Sequence, residues 1–223
     1  MKTKKIELYI HIPFCKSKCR YCDFCSFQAE NAVIDDYITK LKEELIFWGK
    51  KLTKEEVVTV FIGGGTPSYL KEQYIKEICN VIFQYFKVSE NAEITIEANP
   101  GTVDLKKLCT YRESGINRIS FGLQSTIQEE LQYLGRIHTY EQFLQCYNWA
   151  REAGFCNISV DLMSAIPKQT IHSYEKNLRT IAELSPEHIS AYSLIIEEGT
   201  PFYEDENLED LLPSEEDEVR MYQ

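Results

Sequence analysis

The sequence predicts an α/β domain built around a parallel sheet, and three observations carry that prediction. Short runs rich in β-branched residues alternate six times with longer segments whose apolar residues recur every three or four positions, the pattern of βαβ units. Several strand candidates end on their carboxyl side in Gly, Pro, Asn or Asp: Gly63 to Gly65, Asn99-Pro100-Gly101, Gly122 and Asp161. In barrel-type α/β folds those ends form the site. The length, 223 residues, suits one domain with a substantial core rather than two. Periodicity alone leaves a doubly wound open sheet as the competing architecture.

In chain order, the strand candidates cover residues 6–11, 57–62, 93–97, 118–121, 157–161 and 188–193. Each is a short β-branched or alternating run. Helical period runs through residues 33–48, 72–86, 104–114, 140–153 and 173–184, with a shorter candidate at 127–134. Beyond the last strand the chain becomes acidic: residues 204–218 hold nine Asp or Glu and no Lys or Arg. This run reads as a solvated linker. Near its end, Ser214 followed by Glu215, Glu216 and Asp217 reads as a capped helix start, with acids at the positive end of the dipole. Only about two turns follow before Gln223, so the expectation is a fragment of a longer protein. The expected division is a core over residues 1–203 and, over 204–223, an acidic linker leading into a truncated C-terminal region.

The formal charge of −11 is mostly local to that run, since without its nine acids 26 acidic residues face 24 basic ones. Such a balance argues against a nucleic-acid partner, which needs a basic face. No run approaches the roughly 20 apolar residues of a membrane helix. The basic start (Lys2, Lys4, Lys5) leads into Glu7, His11 and Pro13 and does not read as a signal peptide. Eight cysteines without an export signal point to a reducing, cytoplasmic setting and to ligand or core thiols rather than disulfides. Cys79, Cys109, Cys146 and Cys156 are scattered through apolar or mixed segments and are expected in the core.

The other cysteines cluster. Cys15, Cys19 and Cys22 place three sulfurs on one tight loop just after the first strand, and thiolates suit iron–sulfur clusters and zinc. Lys16, Lys18 and Arg20 interleave with them, which is expected to lower thiol pKa and offset anionic charge. Three cysteines hold three irons of a cubane and leave the fourth open. Structural zinc needs a fourth ligand, which Cys25 or His11 would supply. Spacing alone leaves both metals open, and a redox thiol pair besides.

The cysteine loop resembles the CxxxCxxC motif of the radical S-adenosylmethionine (SAM) superfamily. Six further ordered blocks resemble one branch of it: GGGTPS from Gly63, EANPGT from Glu97, NRISFGLQS from Asn117, LGRIHT from Leu134, VDLMSAIP from Val160 and HISAYSLIIEEGTPFY from His188. That branch contains the oxygen-independent coproporphyrinogen III dehydrogenases (HemN) and the haem chaperones of the HemW type. The resemblance implies a partial (β/α)6 TIM-like barrel and a [4Fe–4S] cluster on Cys15, Cys19 and Cys22. It also implies SAM contacts at Tyr9, Tyr21, Gly64, Gly65, Thr66 and Glu97. Gln124, Arg136 and Asp161 fall where the dehydrogenase approaches a second SAM. His11 and His138 are expected as core or hydrogen-bonding histidines.

In the superfamily SAM chelates the open iron, and an electron from the reduced cluster cleaves its sulfonium to methionine and a 5′-deoxyadenosyl radical. The dehydrogenase uses that radical to convert coproporphyrinogen III to protoporphyrinogen IX. Its resemblance would place a fourth cysteine one residue beyond the third and an N-terminal extension before the loop. Here Phe24 stands at that position, Cys25 follows it, and the sequence starts almost at the cluster strand. YCDFCSF and the block at His188 are more similar to the HemW type. That likeness implies haem as cargo, an electron donor of unidentified nature, and a respiratory haem-protein recipient at the membrane. The haem-binding motif of that type would lie beyond Gln223. The dehydrogenase or another radical SAM oxidoreductase is the enzyme alternative, and a zinc-stapled α/β domain the third.

Overall fold

A computed structural model describes residues 3–223, so Lys2 of the basic start lies outside them. Its framework is one six-stranded sheet: β1 (Lys5–Ile12), β2 (Glu56–Gly64), β3 (Val88–Ala98), β4 (Arg118–Gln124), β5 (Ile158–Ser164) and β6 (His188–Ser193). Strands neighbour one another in sequence order and every pairing is parallel. A doubly wound sheet reverses its strand order at a switch point; this order never reverses. Right-handed crossovers therefore send every helix to the same side, and the sheet curves into a partial TIM-like barrel. Among the described residues β1 and β6 share no ladder, so the barrel stays open between them.

The helices are α1 (Asn31–Lys51), α2 (Glu72–Tyr85), α3 (Leu105–Glu113), α4 (Gln128–Tyr133), α5 (Tyr140–Glu152), α6 (Ile171–Glu183) and α7 (Glu215–Tyr222). Side chains identify their starts. Asp104 accepts from the Lys107 N–H at 2.8 Å, and Thr139 and Thr170 form reciprocal capping boxes on α5 and α6, satisfying orphan donors of the first turn. Ser214 caps α7 as expected.

Alternation along the strands separates core from lumen. On β4, Ile119, Phe121 and Leu123 are fully buried against the helices, in a core shared with Ile38, Ile75, Leu108, Phe143 and Ile181. Each such side chain contributes about 1.5–3 kcal/mol by leaving water. Ser120 and Gly122, between them, belong to the lumen side with Asp161. β3 is longer than expected, because Val88 pairs with Val57 ahead of the polar Ser89, Glu90 and Asn91 that masked its start.

A buried polar knot holds the β4–α4 connection. The Glu130 carboxylate, 5% exposed, accepts from Ser125, Gln169, Ser173 and Asn177 at 2.6–3.1 Å. Neutral donors satisfy it fully, which burial of a carboxylate requires.

The acidic run departs from the linker expectation. Most of its carboxylates face solvent, yet Leu208 is buried in a second apolar cluster with Phe202 of the core, Leu134, Met163 and Ile166. Asp205 pairs with Arg20 at 2.9 Å, and Met221 of α7 is buried. The apolar residues spaced among the acids provide the anchoring that net charge concealed. Cys79 and Cys146 are buried as expected, whereas Cys109 is half-buried and Cys156 is exposed. Cys156 lies in the turn after Gly154, ahead of the strand whose alternation would have turned it inward.

Candidate functional site

The loop after β1 lies at the carboxyl end of the sheet. Phe14, fully buried, meets the Phe27 and Tyr37 rings edge-on at 5.6 and 5.2 Å. The Cys15 N–H donates to Phe27 O and the Phe27 N–H to Pro13 O, so the loop closes on itself. Further along, the Arg20 N–H donates to Leu134 O and the Phe202 N–H to Arg20 O. The Arg20 guanidinium also stands 5.0 Å over the Phe202 ring.

Cys15, Cys19 and Cys22 share this loop, but among the described residues no three His, Cys, Asp or Glu side chains are already gathered as a metal site. Their chemistry fits a soft metal nonetheless. Thr66 Oγ1 donates to Cys15 Sγ at 3.4 Å and Arg136 Nη1 to Cys19 Sγ at 3.5 Å. Two sulfurs thus already accept hydrogen bonds of the kind that stabilise ligated thiolates. Burial pushes the Cys22 thiol up, and the Phe24 N–H and Lys18 only partly offset it. The expected lowering by neighbouring bases therefore fails at Cys22. Lys18 directs its ammonium to Phe24 O, and desolvation outweighs its charge. Metal binding there must displace a proton. The Cys25 side chain is exposed, while its carbonyl accepts from His11 Nε2 at 3.0 Å.

β2 ends in the glycine run that packs beneath the loop. Gly64 holds a φ of 115° and donates its N–H to Glu97 Oε2 at 2.9 Å. A Cβ at Gly65 would stand 2.9 Å from Phe14 O and 3.0 Å from both Cys15 Sγ and Ile12 O. Two of those neighbours are backbone and cannot swing away. Gly65→Ala is expected to displace the cysteine loop at roughly 1–3 kcal/mol of overpacking. Iron content after reconstitution should fall severalfold while far-UV circular dichroism is unchanged.

Across the lumen stand two half-buried carboxyls, Glu97 and Asp161. Burial, with Asp161 adding to it against the Gly64 N–H, pushes Glu97 up to about 7. Burial likewise pushes Asp161 up to about 6, against lowering by Ser120, Arg118 and Arg136. Ser120 Oγ donates to Asp161 at 3.2 Å. At the mouth of β4, Gln124 adopts a left-handed φ of 73°, a conformation that costs energy outside glycine. Its Oε1 accepts from Tyr192 of β6 at 2.8 Å.

Arg136 is engaged on several sides, donating to Cys19 Sγ, to Asn99 Oδ1 at 2.7 Å and to Gly122 O. Burial pushes the nearby Tyr21 phenol well above its ordinary value, with Arg136 pulling the other way. Tyr9 is exposed, stacked on Phe61 and bonded to His11 Nδ1. Since His11 Nε2 faces a carbonyl it carries the proton, and Nδ1 accepts from Tyr9. His138 is buried, bonds to Leu123 O, and is pushed down to about 3 by burial and Arg136. Both histidines are hydrogen-bonding residues, as expected.

The structure thus links Cys15, Thr66, Arg136 and Cys19 in one network, and Gly64 with Glu97 in another. Gln124 and Asp161 reach the same lumen through Tyr192 and Ser120, while Tyr9 stands at the rim. Sequence reasoning passed over Asn99 and Tyr192, although both lie inside blocks that carried the resemblance. Their signal was a polar residue at or just beyond a strand's carboxyl end.

The radical SAM superfamily model matches residues 9–181. The haem chaperone HemW of Bacillus subtilis is 40% identical over 217 residues, covering 96% of this chain and 57% of that protein. HemW of Escherichia coli is 39% identical over 203 residues, covering 91% and 54%. Among solved structures, the coproporphyrinogen III oxidase HemN of Escherichia coli superposes with a TM-score of 0.90 at 29% identity, over 100% of this chain and 51% of that one. The chain spans about half the length of the curated relatives it matches.

Proposed function

The chain belongs to the radical SAM superfamily, and on that premise we propose that it is the core of a haem chaperone of the HemW type. The observation that carries this reading is the 40% identity to a protein named as a haem chaperone, sustained across 96% of the chain. Phe24 in the place of a fourth loop cysteine and Cys25 after it favour the same branch.

In this reading Cys15, Cys19 and Cys22 hold the [4Fe–4S] cluster, and Tyr9, Tyr21, Gly64, Gly65, Thr66, Glu97, Gln124, Arg136 and Asp161 surround SAM. When bound, cluster and SAM supply one-electron chemistry at the sulfonium. The protein's own part is positional. Gly64 and Gly65 admit close backbone approach. Glu97 offers a half-buried carboxylate to a ligand amine or hydroxyl, and its hydrogen bond from Gly64 fixes its aim. Residues 1–203 form the radical SAM core, and 204–223 open a C-terminal region that completes the haem site. Partners are haem, an electron donor and a respiratory haem protein, with the chaperone itself cytoplasmic. No helix of the described residues is long and apolar enough to cross a membrane.

A second reading is favoured by one observation, the TM-score of 0.90 to coproporphyrinogen III oxidase: oxidative decarboxylation of coproporphyrinogen III. Full-length protein, reconstituted anaerobically and supplied with reductant and SAM, separates the two. The chaperone reading expects a stable haem Soret band, transfer of that haem to an acceptor apoprotein, and no protoporphyrinogen. Turnover of coproporphyrinogen would replace it with the dehydrogenase.

A further inference from the structure

We infer that Asn99 is a positioning residue that sets the hydrogen bonds reaching two of the three cluster sulfurs. The inference rests on the reading of Cys15, Cys19 and Cys22 as cluster ligands. Asn99 follows β3, and both ends of its side-chain amide are used. Its Nδ2 donates to Thr66 Oγ1 at 2.9 Å, and Thr66 Oγ1 donates to Cys15 Sγ at 3.4 Å. Its Oδ1 accepts from Arg136 Nη2 at 2.7 Å, and Arg136 Nη1 donates to Cys19 Sγ at 3.5 Å. One amide therefore bridges the two donors that meet two ligand sulfurs.

The protons in this chain have a forced direction. A guanidinium has donors only, so the Asn99 group facing Arg136 must be the carbonyl oxygen. The amide nitrogen then faces Thr66 and occupies a hydroxyl lone pair. The single Thr66 hydroxyl proton is left to point at the sulfur. The backbone of Asn99 is clamped too: its N–H donates to Ser68 Oγ at 3.1 Å, and its carbonyl accepts from Thr102 Oγ1 at 2.7 Å. Gly122 makes room, because a Cβ there would stand 2.8 Å from Asn99 Oδ1. A cavity of about 100 Å³ borders Cys19, Thr66, Asn99 and Arg136, so the network faces open space rather than solid core.

Hydrogen bonds to cluster sulfurs draw electron density from them and raise the reduction potential. Freeing Thr66 and Arg136 from Asn99 should therefore move the potential to more negative values without removing a ligand. The test is an EPR-monitored potentiometric titration of the full-length reconstituted protein without SAM, with iron content and circular dichroism as controls. Asn99→Asp is nearly isosteric. Its carboxylate accepts from both Thr66 and Arg136, turning the hydroxyl proton off the sulfur, and a negative shift is expected with a full iron complement. Asn99→Ala should shift in the same direction, and Thr66→Ser, which keeps the hydroxyl, should match wild type. In a Thr66→Val background Asn99→Ala should produce a smaller shift, since one of its two arms is already gone. An unmoved potential in Asn99→Asp, or an undiminished shift in the Thr66→Val background, overturns the positioning role. A wild-type protein that takes up no iron overturns the cluster reading and the positioning role with it.

Discussion

Replacing Cys15, Cys19 and Cys22 together by serine is expected to leave a folded chain that takes up no iron, where the wild-type protein acquires about four irons per chain. The fold should survive because the sulfurs do not hold the loop together. Backbone bonds do, from Cys15 to Phe27, Phe27 to Pro13 and Arg20 to Leu134, together with the buried Phe14. Cys15 is buried while Cys19 and Cys22 are only half-buried, so replacement by serine leaves no large cavity. Metal content and the visible absorption of the reconstituted protein measure the outcome. Stoichiometric zinc without iron in the wild-type protein would favour a structural zinc site and sink the cluster reading. A loss of helical signal in the triple variant would show that the thiols are structural.

The second large effect concerns Glu97. Ligand-free, the lumen holds Glu97 at about 7, against an ordinary value of 4.5, and Asp161 at about 6, against 3.8. Both are raised, so between those values the native state binds more protons than the unfolded chain. Stability from this pair is therefore present below about pH 4 and falls as pH rises toward 7. His138 acts with the opposite sign. Held neutral down to about 3, it contributes stability above its unfolded value of 6.5 that is lost as pH falls. Taken together these three groups favour the folded state most at about pH 4, because above it the two carboxyls outweigh the one histidine. Glu97→Gln removes one partly desolvated charge and keeps an oxygen for the Gly64 N–H. It is expected to raise the urea midpoint at pH 8 by the equivalent of about 1–3 kcal/mol and to leave it unchanged at pH 4. The same substitution should weaken SAM binding about tenfold or more, because it removes a charge-assisted partner. A variant less stable than wild type at pH 8 would contradict a desolvation cost for the ionised Glu97. Wild-type affinity for SAM would remove Glu97 from the binding set.

Legibility differed by kind of feature. Every strand and helix was located within a few residues, because alternation and helical period follow from which side of one sheet is covered. Boundaries failed where tertiary pairing extended a polar segment, as at Ser89 to Asn91 of β3. Anchoring failed where net charge hid sparse apolar residues, as at Leu208 and Met221. Cys156 was misplaced because a turn, unlike a strand, has no alternation to fix which way a side chain points. His11 and His138 both make hydrogen bonds to backbone carbonyls, the role expected of them, although spacing alone had also left His11 open as a fourth zinc ligand.

The cysteine spacing, the glycine run and the ordered blocks were sufficient by themselves to place this chain among radical SAM proteins and to single out the loop proposed to hold the cluster. Those are local facts, written in contiguous residues. The barrel, as opposed to a doubly wound sheet, was decided by the unbroken strand order, which no local pattern contains. Tertiary structure alone also brought together Thr66 and Asn99, just beyond β2 and β3, and Arg136, from the connection between α4 and α5, and aimed the Thr66 and Arg136 donors at Cys15 and Cys19. The reason is physical: a hydrogen-bond network depends on distances across the sheet, and sequence separation does not encode them.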